Sequence, residues 1–164
     1  MATPIATFFY VGYMRPASGT WGSAAAIPVA YLIHVAGGYP LLIAATLAVF
    51  FAGWWATAAH IGQSDNHDPS EVVIDEVAGQ WVALIPVSVG LGMAGVDPWT
   101  FPWPGWVSAF FLFRLFDIWK PGPAGWADRR NDPLGVMLDD IFAGIFAGIC
   151  VLALAGLSHG LMGQ

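Results

Sequence analysis

A chain of 164 residues that is 57% hydrophobic and only 10% charged lies far below the roughly 25% charged residues of an average soluble domain, so residues 1–164 read as one domain whose solvent is lipid. Five Lys and Arg against eleven Asp and Glu, a formal net charge of −6, exclude the phosphate-neutralising patch that nucleic-acid binding requires. Cys150 is the single cysteine, which excludes an internal disulfide.

The opening stretch, MATPIATFFYVGYMRPASG, has no basic residue ahead of its short apolar run and does not read as a cleavable signal. In RPASGTWGS, Gly19 and Gly22 flank Thr20 and Ser23 at an expected helix start. Such a start is either an ordinary N-cap or a place where free N–H groups and the helix dipole attract an anion. The first apolar run, Gly22 to Val35, covers only about 21 Å of a bilayer core roughly 30 Å thick, so it is either re-entrant or extended at its ends. The second, Pro40 to Ile61, carries no charge and is the clearest span. An acidic loop with Asp65, His67, Asp68 and Glu71 follows. Further runs are expected over Val72 to Met93, Trp99 to Trp119 and Gly135 to Leu157, each charged near one end. The fold expected is all-α, a polytopic membrane bundle of about five transmembrane or membrane-embedded helices.

Short connections make successive spans antiparallel, which places Arg15, the acids from Asp65 to Glu76, and the charges from Arg114 to Asp140 on one side, with Asp97 alone on the other. All five basic residues share that side, which the positive-inside rule assigns to the cytoplasm. The predicted topology is therefore N-terminus in and C-terminus out.

Asp75 and Glu76 sit inside VVIDEVAGQW among apolar neighbours, and carboxylates placed so need a cation or hydrogen bonds. The alternative is a helix start that favours acids through its dipole. Glu71 lies four residues before Asp75, a spacing that would extend the acidic face. Asp139 and Asp140 in GVMLDDIFAGIFAG form a second pair at the same depth. Crowded carboxylates repel unless a hard divalent cation joins them, and oxygen-only ligation suits Mg²⁺ or Mn²⁺ rather than zinc. Arg114, Asp117 and Lys120 recur at i, i+3 and i+6 in FRLFDIWKPGPAGWADRR, a set that either receives phosphate or forms an internal Arg114–Asp117 pair with Lys120 reaching the headgroups. Ala143, Gly144, Ala147 and Gly148 form a small-residue stripe that suits close helix packing or a homo-oligomer. No histidine has a partner at metal-ligand spacing, and none is assigned chemistry.

The segments DPSEVVIDEVAGQW, FRLFDIWKPGPAGWADRR and GVMLDDIFAGIFAG together resemble the phosphatidylglycerophosphatase A family over most of the chain. The N-terminal segment matches more loosely, with Ser18 where a proline is typical. The resemblance implies Mg²⁺-dependent removal of the terminal phosphate from phosphatidylglycerophosphate, a membrane phospholipid substrate. The site expected on that basis has Asp75, Glu76, Asp139 and Asp140 holding one or two Mg²⁺ ions. Arg114, Lys120, Thr20 and Arg130 bind substrate, and Asp117 is base or nucleophile with Lys120 and Asp75 beside it. Attack by water and a phospho-aspartyl intermediate both remain open, since each needs a carboxylate close to the phosphate. The alternative class is a divalent-cation or proton-coupled transporter, because intramembrane acids also mark ion pathways. Against it, the charges cluster on one side and no broken-helix pair or internal repeat is evident. The DGxxAR-type motif of CDP-alcohol phosphotransferases is absent.

Overall fold

The computed structural model of the chain describes residues 2–61, 69–101 and 103–162, with side chains as far as Ser158. Asp65, His67, Asp68 and the His159 side chain lie outside the described residues. The described chain is all-helical: α1 (Ala2–Ala6), a 3-10 turn (Val11–Tyr13), α2 (Ser18–Ile61), α3 (Ile74–Met93), α4 (Trp103–Trp119), α5 (Pro123–Asp128) and α6 (Pro133–Met162). Among the described residues three helices are long and apolar enough to cross a membrane: α2, α3, and α6 over Pro133–Ser158.

The first two expected runs are the arms of α2, which doubles back at Gly37 and Gly38. Gly38 takes φ 63° and ψ −161°, a region essentially restricted to glycine, and Pro40 follows it. The reversal shows in what the arms touch. Going up the first arm, Gly22 meets Val73, Trp81 Nε1 donates to the Ala26 carbonyl at 2.9 Å, and His34 Nδ1 lies 2.6 Å from Ser88 Oγ. Past the kink Tyr39 meets Gly92, and coming down the second arm Gly53 meets Ile74. Both arms therefore run the length of α3. The first arm gains its length by starting at Ser18 rather than Gly22, which resolves the shortfall expected from the apolar run alone. α4, at 17 residues, starts at Trp103 rather than Trp99.

α3 and α6 cross at small residues. A Cβ on Gly79 would stand 2.5 Å from the Asp140 carbonyl oxygen, and one on Gly144 would overlap the Gly79 carbonyl. Ala143 and Ala147 are fully buried, so the small-residue stripe of α6 is occupied by α3 of the same chain. On the opposite face of α6, Ile145, Ile149 and Leu152 are exposed, as are Leu47, Phe51 and Trp55 on α2 and Phe111 and Leu115 on α4. An apolar exterior of this kind suits a helix bundle immersed in hydrocarbon. Exposed Trp99, Phe101 and Trp103 lie at one end, and Trp21, Trp119 and Trp126 at the other, where aromatic belts meet the two headgroup layers.

Candidate active site

The ionisable residues gather where α2 begins, α3 begins, α4 ends and α6 begins. Asp75 and Glu76 occupy the first turn of α3. Asp139 and Asp140 lie in the second turn of α6, whose start is set by Asp132: its Oδ1 accepts the Gly135 N–H at 2.5 Å, ahead of Pro133 in the first helical position. Because α3 and α6 touch backbone to backbone at Gly79 and Asp140, one carboxylate oxygen each from Asp75, Glu76 and Asp140 comes within 4.8 Å of the others. Asp75 Oδ1 and Glu76 Oε2 are buried with no hydrogen-bond partner among the described residues. Partnerless buried carboxylate oxygens are costly in a low-dielectric interior, and three hard oxygen donors at this spacing fit a Mg²⁺ or Mn²⁺ ion.

Asp139 stands apart from that trio. Its Oδ2 accepts a 2.7 Å bond from Lys120 Nζ, and the same ammonium binds Asp128. Lys120 reaches them because it lies just beyond α4, with φ 49°, rather than continuing the helix as the i, i+3, i+6 spacing assumed. Burial pushes the Lys120 ammonium down, but its bonds to Asp128 and Asp139 outweigh this and hold it above its ordinary value. Arg114 Nη1 pairs with Asp117 at 2.5 Å and reaches Ser23 Oγ at 3.4 Å. The internal Arg114–Asp117 pair foreseen as an alternative is thus present, with Asp117 on the cavity wall and Arg114 behind it, not among the lining residues.

These groups surround a cavity of about 380 Å³ lined by Asp75, Glu76, Asp117, Asp128, Asp139 and Asp140, with Lys120, Ser18, Ser70, Asn131 and two valines. Thr20 and Arg130 do not line it. Arg130 is taken up by Asp132 at 2.8 Å and lies over Trp126 at 5.4 Å. Thr20 sits inside the first turn of α2, whose start at Ser18 turns Ser18 rather than Thr20 to the cavity. Ser18 Oγ donates to the Ser70 carbonyl at 2.5 Å. Glu71 does not extend the acidic face, since α3 starts only at Ile74; its Oε1 lies 3.5 Å from His60 Nε2. Asp128, Ser70 and Asn131 were not singled out from the sequence. Asp128 follows Lys120 by eight positions, but only the turn through Pro121 and Gly122 shows that the two meet.

A helical bundle apolar on the outside, with a cavity of carboxylates and an ammonium at one end, has the layout of a membrane-embedded enzyme. Residues 4–155 match the family described as phosphatidylglycerophosphatase A, and the chain belongs to that family. It is 30% identical to the phosphatidylglycerophosphatase A of Haemophilus influenzae over 92% of this chain and 86% of that protein. It is 35% identical to the phosphatidylglycerophosphatase A of Escherichia coli over 88% of this chain and 78% of that one. A Bacteroides thetaiotaomicron protein named a putative phosphatidylinositol-3-phosphatase is 33% identical over 90% and 89%. No solved structure matches the chain.

Proposed function

We propose that the chain hydrolyses the terminal phosphomonoester of phosphatidylglycerophosphate to phosphatidylglycerol and phosphate, using one Mg²⁺ ion held by Asp75, Glu76 and Asp140. Family membership supports the reaction. The observation that carries the ion is the cavity wall itself: six carboxylates face one ammonium, a field that would expel a phosphate dianion unless a multivalent cation entered with it. When bound, the ion would supply Lewis-acid polarisation of a phosphoryl oxygen. Lys120, pinned by Asp139 and Asp128, provides a second positive centre where another ion would otherwise be needed, and it donates to the phosphate. Arg114 orients Asp117, which either takes the proton of the attacking water or attacks phosphorus itself, water then hydrolysing the aspartyl phosphate to free phosphate and carboxylate; in both routes the bond from phosphorus to the glycerol oxygen breaks and that oxygen is protonated. Thr20 and Arg130, expected to bind substrate, would act only at the rim.

With all five basic residues at the cavity end, the positive-inside rule sets that end at the cytoplasmic face of a bacterial inner membrane. There the headgroup meets the cavity while the acyl chains stay in lipid. Transport gains no support from the comparisons.

The test is turnover of phosphatidylglycerophosphate by the purified chain in detergent, with and without Mg²⁺. Activity should vanish on chelation and return with Mg²⁺, and Asp75→Asn and Asp140→Asn should each lose it. Unchanged turnover in both variants would remove the site. Equilibrium Mn²⁺ binding should saturate at one ion per chain. The stereochemistry of transfer from an isotopically chiral phosphoryl group separates the two routes, with inversion at phosphorus for direct attack by water and net retention for attack by Asp117.

A further inference from the structure

Gln80 stands one helical turn beyond Glu76 on the same face of α3. It is fully buried, and neither its carboxamide oxygen nor its nitrogen has a hydrogen-bond partner among the described residues. A carboxamide with both ends unmet inside a lipid-embedded bundle is strongly disfavoured, and a methionine of similar volume would fill the same space without that cost. Among the described residues the two other partnerless buried groups on uncharged side chains, Thr57 Oγ1 and Trp106 Nε1, are each a single atom. Gln80 instead belongs with the partnerless atoms of Asp75, Glu76 and Arg114. Glu76 and Arg114 converge on Gly19, where an added Cβ would collide with Glu76 Oε1 and stand 3.2 Å from Arg114 Nη1. Of these four residues, Asp75 and Glu76 line the cavity, Arg114 pairs with Asp117, which lines it, and Gln80 follows Glu76 by one turn; the unmet groups together call for one hydrated occupant.

We propose that Gln80 is part of the cation site. Both ends of its carboxamide bond to the ion's water shell, the oxygen accepting and the nitrogen donating. The proposal rests on the cation reading above. Mg²⁺ gives up its waters reluctantly and keeps several of them in protein sites, so three carboxylates leave room for a neutral neighbour that orients water. An amide suits this position because it accepts and donates at once and adds no further negative charge to the trio.

Gln80→Met decides it, measured on the full chain in detergent by Mn²⁺ binding and by thermal unfolding without metal. The metal-free variant should unfold at the same temperature as wild type or higher, while its Mn²⁺ affinity falls about tenfold or more. Trp106→Phe, which removes a partnerless N–H at the opposite end of the bundle, should leave the affinity unchanged. Wild-type affinity in Gln80→Met overturns the proposal, and so does a loss of metal-free stability that accounts for the weaker binding. A second measurement needs no variant. The chain has three glutamines, Gln63, Gln80 and Gln164, and the side-chain amide signals of ¹⁵N-labelled Gln80 should shift with Mg²⁺ at the concentration that fills the site. No shift also overturns it. Wild-type protein that binds no Mn²⁺ removes the cation site together with this inference, whereas normal wild-type binding with an indifferent Gln80→Met removes the inference alone.

Discussion

Lys120 illustrates how one residue takes its role from its position in the chain rather than from its type. Standing past the end of α4 with φ 49°, it points its ammonium between Asp128 and Asp139 instead of toward headgroups. Replacing it with methionine removes a charge-assisted bond worth about 1.5–3 kcal/mol, so Lys120→Met should lower kcat/KM for phosphatidylglycerophosphate about tenfold to a hundredfold. The freed carboxylates of Asp128 and Asp139 should also raise Mn²⁺ stoichiometry above one. A variant that keeps normal kcat/KM would show that the ammonium does not reach substrate. The acids themselves were legible in the sequence, because charge inside an apolar run demands an explanation. Their division of labour was not. Asp139 and Asp140 are adjacent and chemically identical, and only the presence of Lys120 beside one of them separates an ion-paired carboxylate from one free to join Asp75 and Glu76.

Among the elements, α3 and α6 do most to build the site, since each carries one acidic pair and their contact sets the distance between them. Gly144 lies against the Gly79 carbonyl, so Gly144→Val would wedge the helices apart, at an overpacking cost of about 1–3 kcal/mol. A lower unfolding temperature should appear together with weakened Mn²⁺ binding, although residue 144 offers the ion no donor atom. Loss of stability with intact binding would mean that the crossing does not govern the acids. The start of α6 offers a pH test. The Asp132 carboxyl is held below its usual range by Arg130 and by the Gly135 N–H. Its stabilising effect is complete above the ordinary carboxylate value and is lost as pH falls through the depressed one. Asp132→Ala should therefore cost about 1 kcal/mol at neutral pH, as lost caps do, and its deficit against wild type should narrow as pH is lowered from about 4. A deficit independent of pH would assign the loss to the backbone instead. The sequence marked this helix start through Asp132-Pro133, but it gave no sign that Phe8, Phe9 and Tyr10 take positive φ. Nothing in three bulky aromatic residues announces a backbone that usually selects glycine or asparagine.

At the scale of the whole molecule, the charge asymmetry predicts orientation. In a Cys150→Ser background expressed in a bacterial host, a membrane-impermeant maleimide should label Asp97→Cys in intact spheroplasts and Ala17→Cys only after permeabilisation. The reverse pattern would turn the cavity outward and overturn the cytoplasmic placement. Family, fold class and the end at which the charges collect all followed from the sequence, because hydropathy, charge placement and the IDE and MLDD acids are local properties that survive without coordinates. The span boundaries were less secure. An apolar run from Gly22 to Val35 looked too short to cross, while the arm in the folded chain also enlists the small and polar residues from Ser18 onward, which hydropathy undervalues. What only tertiary structure decided was which groups share space: that α2 reverses at Gly38, that Asp75, Glu76 and Asp140 meet while Asp139 is drawn aside, that Arg130 is occupied elsewhere, and that Gln80 is left without a partner. Those outcomes depend on helix crossings and turns between residues far apart in the chain. A sequence specifies such contacts only through the whole fold, whereas its polarity pattern can be read one segment at a time.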